Sequence, residues 1–203
     1  MAFPRIVKPF LGAGLLAACA TGSHFIKPGY QPPRLLAVLP MNNHTTDLDG
    51  PVAVRYWFDQ RLTERKGYQT KNLDQMDESL RAMGITDGGQ LAGTTPQELG
   101  RRLGVDAVIY CDLLEFQYQT TGFLNVRKVR ARFKMVNCTT GETLWENEGL
   151  GANSEGAVSS SAALQAGIKH LSAQLTEKAM QSPLRTEIWD MVWNAIEFLP
   201  RGR

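Results

Sequence analysis

The stretch from Val105 to Trp145 constrains the fold more than any other part of the chain. Val129, Ala131, Phe133 and Met135 alternate with Lys128, Arg130, Arg132 and Lys134. A period of two places the apolar set on one strand face and the four cations on the other. Upstream, Val108-Ile109-Tyr110-Cys111 is apolar on both faces, and then Leu114, Phe116 and Tyr118 alternate with Glu115, Gln117 and Gln119. A turn centred near Thr121-Gly122 sets Glu115 opposite Lys128 and Leu114 opposite Val129, so both strands agree on which face is wet. Cys138 to Glu142 reads as a second turn, and Thr143-Leu144-Trp145 opens a third strand. The expected result is a three-stranded antiparallel meander.

The first half has a different rhythm. Leu35 to Leu39, closed by Pro40, suits a buried strand, and a polar loop from Met41 to Asp49 follows it. Val54, Tyr56, Trp57, Phe58 and Leu62 then recur at helical spacing until Gly67, with Arg65 and Lys66 in the last turn, as the carbonyl end of a helix favours. Tyr68 to Lys71 reads as a short second strand. Asn72 caps a helix with Leu73, Met76, Leu80 and Met83 on one face, and Thr95-Pro96-Gln97-Glu98 is a capping box opening another. Two helices are expected at the end, Ser159 to Gln181 and Glu187 to Leu199, the latter with a stripe containing Trp189 and Trp193. This order predicts a single α/β domain with a mixed sheet, parallel in its first half and a meander in its second, with helices on its faces.

The amino terminus carries an address. Arg5 and Lys8 precede a short apolar run that ends in Leu16-Ala17-Ala18-Cys19, the parts of a secretory signal followed by a cysteine. The run falls well short of the roughly 20 apolar residues that span a bilayer, and Pro9, Gly12 and Gly14 interrupt it as a core helix. It resembles a bacterial lipobox, which implies cleavage before Cys19 and acylation of that residue. Residues 1–18 are then a signal peptide, 19–33 a lipidated tether rich in Gly and Pro, and 34–203 the α/β domain. Ala20 after the cysteine, by resemblance to the sorting rule of diderm bacteria, implies the periplasmic face of the outer membrane.

Cleavage also changes the charge. The whole chain holds 22 basic and 20 acidic residues, and Arg5 and Lys8 leave with the signal, so the mature side chains balance. Nucleic acid loses its compositional support as a partner.

Leu36 to Asn43, Val105 to Tyr110 and Thr140 to Trp145 resemble, in this order, a family of bacterial lipoproteins of unknown function. That family is similar in fold to the amino-terminal domain of TolB and to lipoprotein domains of the curli secretion channel and of peptidoglycan synthase activators. The resemblance covers about residues 34 to 150, carries no catalytic residues and implies an envelope interaction module.

Chemistry-bearing patterns are weak. Cys111 and Cys138 with His24, His44 and His170 lack zinc-type spacing, so no metal is expected, and no cofactor beyond the lipid on Cys19. Gly149 to Gly156 departs from both the dinucleotide fingerprint and the Walker loop and reads as a flexible crossover. Ser159-Ser160-Ser161 reads as a polar helix start. In the expected register Cys111 lies opposite Arg132, roughly 20 Å from Cys138, which predicts two free thiols with Cys111 buried.

Two surfaces remain as candidates. Lys128, Arg130, Arg132 and Lys134 form a basic stripe fit for an anionic protein or envelope glycan. Asn42, Asn43, His44 and Asp47 sit at the carboxyl end of the first strand, where open α/β sheets place their sites. The expected role is an accessory, scaffold or regulatory module of an envelope assembly or transport system, held by its lipid, with envelope proteins, glycan or a second copy as partners. The alternatives are a secretion-channel subunit and a periplasmic hydrolase.

Overall fold

The computed structural model describes residues 24–121, 124–156 and 184–202. Five strands, β1 (Phe25–Ile26), β2 (Leu36–Asn43), β3 (Ala107–Thr121), β4 (Leu124–Asn137) and β5 (Thr143–Gly156), form one sheet in the order β1-β5-β4-β3-β2. β2 and β3 run parallel, and the other neighbours are antiparallel. Among the described residues four helices accompany them: α1 (Gly50–Lys66), α2 (Leu73–Arg81), α3 (Pro96–Leu103) and α4 (Arg185–Ile196), with a 3-10 turn at Gly88–Gly93. This is the mixed-sheet α/β fold that the order of apolar patterns implies.

Both sheet faces are covered near β2, which explains its unbroken apolar run. Leu36, Ala37, Val38 and Leu39 are all fully buried, alternately entering two cores. One core lies under α1 and α4, where Phe58 stacks on Phe133 with ring centroids 3.8 Å apart. The other lies under α2 and α3 and joins Met76, Leu80, Leu99 and Leu103 to Ala37, Leu39, Val108 and Val136. At about 1.5–3 kcal/mol for each fully buried large apolar side chain, these two layers supply the main driving force. The predicted caps are in place: Asn72 accepts from the Gln75 amide and Thr95 from the Glu98 amide. Gly67 ends α1 at φ 72° and donates to the Thr63 carbonyl, while the Tyr68 amide donates to that of Leu62.

The meander corrects the expected register. Thr121 pairs with Leu124, Phe116 with Val129 and Glu115 with Arg130, so the hairpin is centred one residue later. Between the turn and Glu115 each partner therefore moves by two, which leaves those side chains on their expected faces, whereas beyond Leu114 the partners move by one. A bulge at Leu114 separates the Leu113–Ala131 pair from the Glu115–Arg130 pair. Such an extra residue reverses the alternation: Ile109, Cys111 and Leu113 face the first core before it, and Phe116 after it. Cys111 lies opposite Phe133 rather than Arg132, and Cys111 and Cys138 are both buried free thiols.

Four further readings meet the structure differently. Gly149 to Gly156 continues β5 instead of forming a crossover, and its glycines admit a helix: a Cβ on Gly149 or Gly151 would strike the backbone of Met191 or Glu187. Tyr68 to Lys71 contributes only the bridge between Leu36 and Thr70. Phe25 and Ile26, assigned to the tether, pair with Glu146 and Trp145 on β5, and Tyr30 packs on the first core. In α4 the docked face is Ile188, Met191, Val192, Ala195 and Ile196, while Trp193 stays half exposed. The lipobox, Cys19, Ser159-Ser160-Ser161 and the helix expected over Ser159 to Gln181 lie outside the described residues.

Candidate interaction surface

The Met41 to Asp49 loop leaves the carboxyl end of β2 beside its parallel neighbour β3. Its side chains divide into two sets. Asn43 and Asp47 build the loop: Asn43 Oδ1 accepts from the Thr45 amide and hydroxyl, and Asn43 Nδ2 donates to the Asp47 carbonyl at 2.8 Å. Asp47 Oδ1 accepts from the Asp49 and Gly50 amides at 3.0 and 2.6 Å, satisfying donors at the start of α1 that no helical carbonyl can reach.

Asn42 and His44 turn instead to a residue the sequence reading missed, Asp112 on β3. Asn42 Nδ2 lies 2.9 Å from His44 Nε2 and 3.0 Å from Asp112 Oδ1, so its two N–H bonds can serve both. His44 Nε2 is itself 3.3 Å from Asp112 Oδ1, a contact that becomes an ion pair when the imidazole is protonated. Asp112 is paired with Asn42 across the parallel strands, a juxtaposition that exists only once the register is known. The result is a partly exposed cluster of hydrogen-bond donors and acceptors at one end of the sheet. A Cβ on Gly88 would strike the backbone of Met41 and Asn42, so the 3-10 turn packs tightly behind it.

The basic stripe lies on the sheet face away from α1 and α4, and carboxylates flank it. Glu115 on β3 stands 2.7 Å from Lys128 Nζ and 2.8 Å from Arg130 Nε. Glu148 on β5 stands 3.1 Å from both Arg130 Nη1 and Arg132 Nη2. Lys134 is paired across the strands with Glu146. Three of the cations thus meet two carboxylates and Lys134 sits opposite a third, a ladder which leaves the stripe with little excess positive charge. Partly exposed pairs of this kind contribute about 0–1 kcal/mol each, so their main effect is to cut the positive field offered to an anionic partner. The cross-strand position of Glu115 is visible in the alternation; that of Glu148 is not, because the sequence pattern sets no register for β5 against β4.

Two ion pairs, one partly and one largely buried, fix the frame around these surfaces. Arg55 on α1 donates to the Val38 carbonyl at 2.9 Å and to both carboxylate oxygens of Asp77 on α2 at 2.9 and 2.7 Å. Arg127 on β4 holds Glu187 on α4 through Nε at 2.8 Å and Nη2 at 3.1 Å. Burial pushes the Cys138 thiol up to about 11 and raises that of Cys111 further, so neither is a ready nucleophile near neutral pH.

Residues 29–187 match the family described as "Putative lipoprotein GNA1162-like". A Neisseria meningitidis serogroup B relative, "Putative lipoprotein NMB1124/NMB1162", is 24% identical over 152 residues, covering 73% of this chain and 70% of the relative. The crystal structure of lipoprotein GNA1162 from Neisseria meningitidis aligns with a TM-score of 0.55 and 23% identity, across 71% of this chain and 99% of that one. The LpoB C-terminal domain from Escherichia coli aligns at a TM-score of 0.44 and 16% identity, across 61% of this chain and 86% of its own. The family match runs from just after β1 into the start of α4, and on that span this chain belongs to the GNA1162-like lipoprotein family.

Proposed function

We propose that this chain is an outer-membrane-anchored periplasmic lipoprotein acting as an accessory, scaffold or regulatory module of an envelope assembly or transport system. The observation that carries this reading is membership of a lipoprotein family across residues 29–187. The sequence supports it with Leu16-Ala17-Ala18-Cys19 behind Arg5 and Lys8, and with Ala20 as the sorting residue. In this reading the acyl chains on Cys19 provide the membrane hold, since two or more chains anchor stably at about 0.8 kcal/mol per buried methylene.

The module works by contact rather than by chemistry. Asn42, His44 and Asp112 offer a hydrogen-bonding end, and the ladder of Lys128, Arg130, Arg132 and Lys134 with its carboxylates offers a patterned charged face. A channel-forming role for the β3–β4 hairpin would need an apolar lipid-facing side. One side of this hairpin is the ladder, and the apolar side packs under α1 and α4.

Crosslinking in intact envelope followed by pull-down of the acylated protein tests the reading. A specific envelope protein or glycan, or a second copy, should be recovered, and recovery should fall at high salt or after Arg130→Gln with Arg132→Gln. Recovery of the protein alone as a monomer, with equal yield from all variants, contradicts it.

A further inference from the structure

The chain enters the fold at one pole of the sheet, and that pole has the composition of a membrane contact. His24 and Phe198 meet edge to face with centroids 5.6 Å apart. Phe25 and Phe198 are 41% and 63% exposed, large values for aromatic residues on a small domain. Cations accompany them. Lys27 pairs with Glu142 at 2.6 Å, and Lys66 donates to the Glu197 carbonyl at 2.8 Å. Gly202 donates to the Lys66 carbonyl, which brings the exposed Arg201 to the same end. Aromatic rings beside Lys and Arg are the side chains that settle at a lipid headgroup layer.

Chain length ties this pole to the anchor. Cys19 lies five residues before His24, which at 3.6 Å per residue allows a separation of at most about 18 Å. An acylated Cys19 therefore keeps His24 within that distance of the headgroup layer. β2 starts at this pole, because Leu36 bridges Thr70 beside the end of α1, and it runs away from it. Asn43 lies seven residues along β2, roughly 23 Å distant, and the hairpin end at Thr121 lies eight residues past Leu113, the partner of Asn43, roughly 26 Å further.

We propose that the pole bearing His24, Phe25 and Phe198 rests on the lipid surface that holds the acyl chains of Cys19, pointing the Asn42–His44–Asp112 cluster and the β3–β4 hairpin away from the membrane. This rests on the lipid-anchor reading above and adds an orientation to it. The domain then stands on the membrane by a small aromatic foot rimmed by Lys27, Lys66 and Arg201 with the carboxylates Glu142 and Glu197 beside them, and its candidate contact surfaces are presented to the envelope space. The Thr121–Leu124 end of the hairpin lies furthest from the lipid.

The test uses the full chain made in a diderm bacterium and reconstituted in vesicles of phosphatidylethanolamine and phosphatidylglycerol. A spin label is placed at Phe198→Cys, at Phe25→Cys, or at His44→Cys; the buried Cys111 and Cys138 stay unlabelled. Collision of each label with a water-soluble nickel chelate is compared with collision with oxygen. Chelate accessibility at positions 198 and 25 should be about fivefold or more below that at position 44, as expected for side chains at the acyl boundary. Equal chelate accessibility at all three positions on a protein whose mass shows acyl chains on Cys19 overturns the orientation alone. A mass showing unmodified Cys19 overturns the anchor reading and the orientation with it.

Discussion

Replacing Arg127 by Met should destabilise the fold severely, and the structure sets the size of the loss. Arg127 and Glu187 make two parallel hydrogen bonds of 2.8 and 3.1 Å, with side chains only 12% and 2% exposed. Methionine fills much of the arginine volume but leaves the Glu187 carboxylate buried without its guanidinium, a change worth about 3–5 kcal/mol. A domain of this size loses about 2–4 °C per kcal/mol, so Tm should fall by about 6–20 °C. The loss should be concentrated where the pair acts, between the start of α4 and the outer part of the β3–β4 hairpin. Amides of residues 126–129 should therefore exchange faster than those of residues 107–111. Thermal and urea unfolding followed by circular dichroism give the stability change. The double variant Arg127→Met with Glu187→Leu should recover most of it, because two apolar groups leave no orphaned charge. A loss under about 1 kcal/mol, or a double variant weaker than the single one, refutes the argument that this pair is dry and mutually dependent.

Three other outcomes follow from the same geometry. Gly151→Ala should push α4 off β5, since its Cβ would strike the Glu187 carbonyl; urea unfolding should show a loss of about 1–3 kcal/mol or more, and an unchanged midpoint contradicts the close approach. The raised thiol of Cys138, about 11 in the fold against 9.0 for the ordinary thiol, means that the unfolded chain releases its proton first. Stability should therefore fall as pH rises from about 9 towards 11, and Cys138→Ala should flatten that slope. Glu148→Gln should remove the carboxylate shared by Arg132 and Arg130 and leave Arg130 to Glu115 alone, so the protein should elute later from an anionic resin, with a steeper dependence on salt. Unchanged elution would mean that Glu148 does not neutralise the ladder.

The fold was legible wherever local pattern and burial agreed. The apolar run of β2, the caps at Asn72 and Thr95, and the alternation of β4 each follow from one segment read alone. The register was less so, because the bulge at Leu114 inserts a residue whose only signature is a change in which face is apolar. The far half of β5 reads as a crossover because Gly149 and Gly151 look like loop residues; in the sheet they are the contact through which α4 approaches the strand backbone. Phe25 and Ile26 were hidden among prolines and glycines, since a two-residue edge strand has no periodicity to detect. Of the candidate surfaces, the sequence supplied Asn42, His44 and the four cations. Asp112, Glu148 and the Arg127–Glu187 pair depend on neighbours distant in sequence and appear only with the folded sheet.

In the function proposed above, this family member is held at the outer membrane through Cys19 and works there by contact. Density-gradient separation of envelopes from cells producing the wild-type chain and its Cys19→Ala variant, with mass analysis of the mature amino terminus, tests it most directly. Wild-type protein should begin at an acylated Cys19 and travel with the outer membrane, while the variant leaves that fraction. An unmodified Cys19, or a wild-type protein that sediments with the inner membrane or remains soluble, contradicts the account.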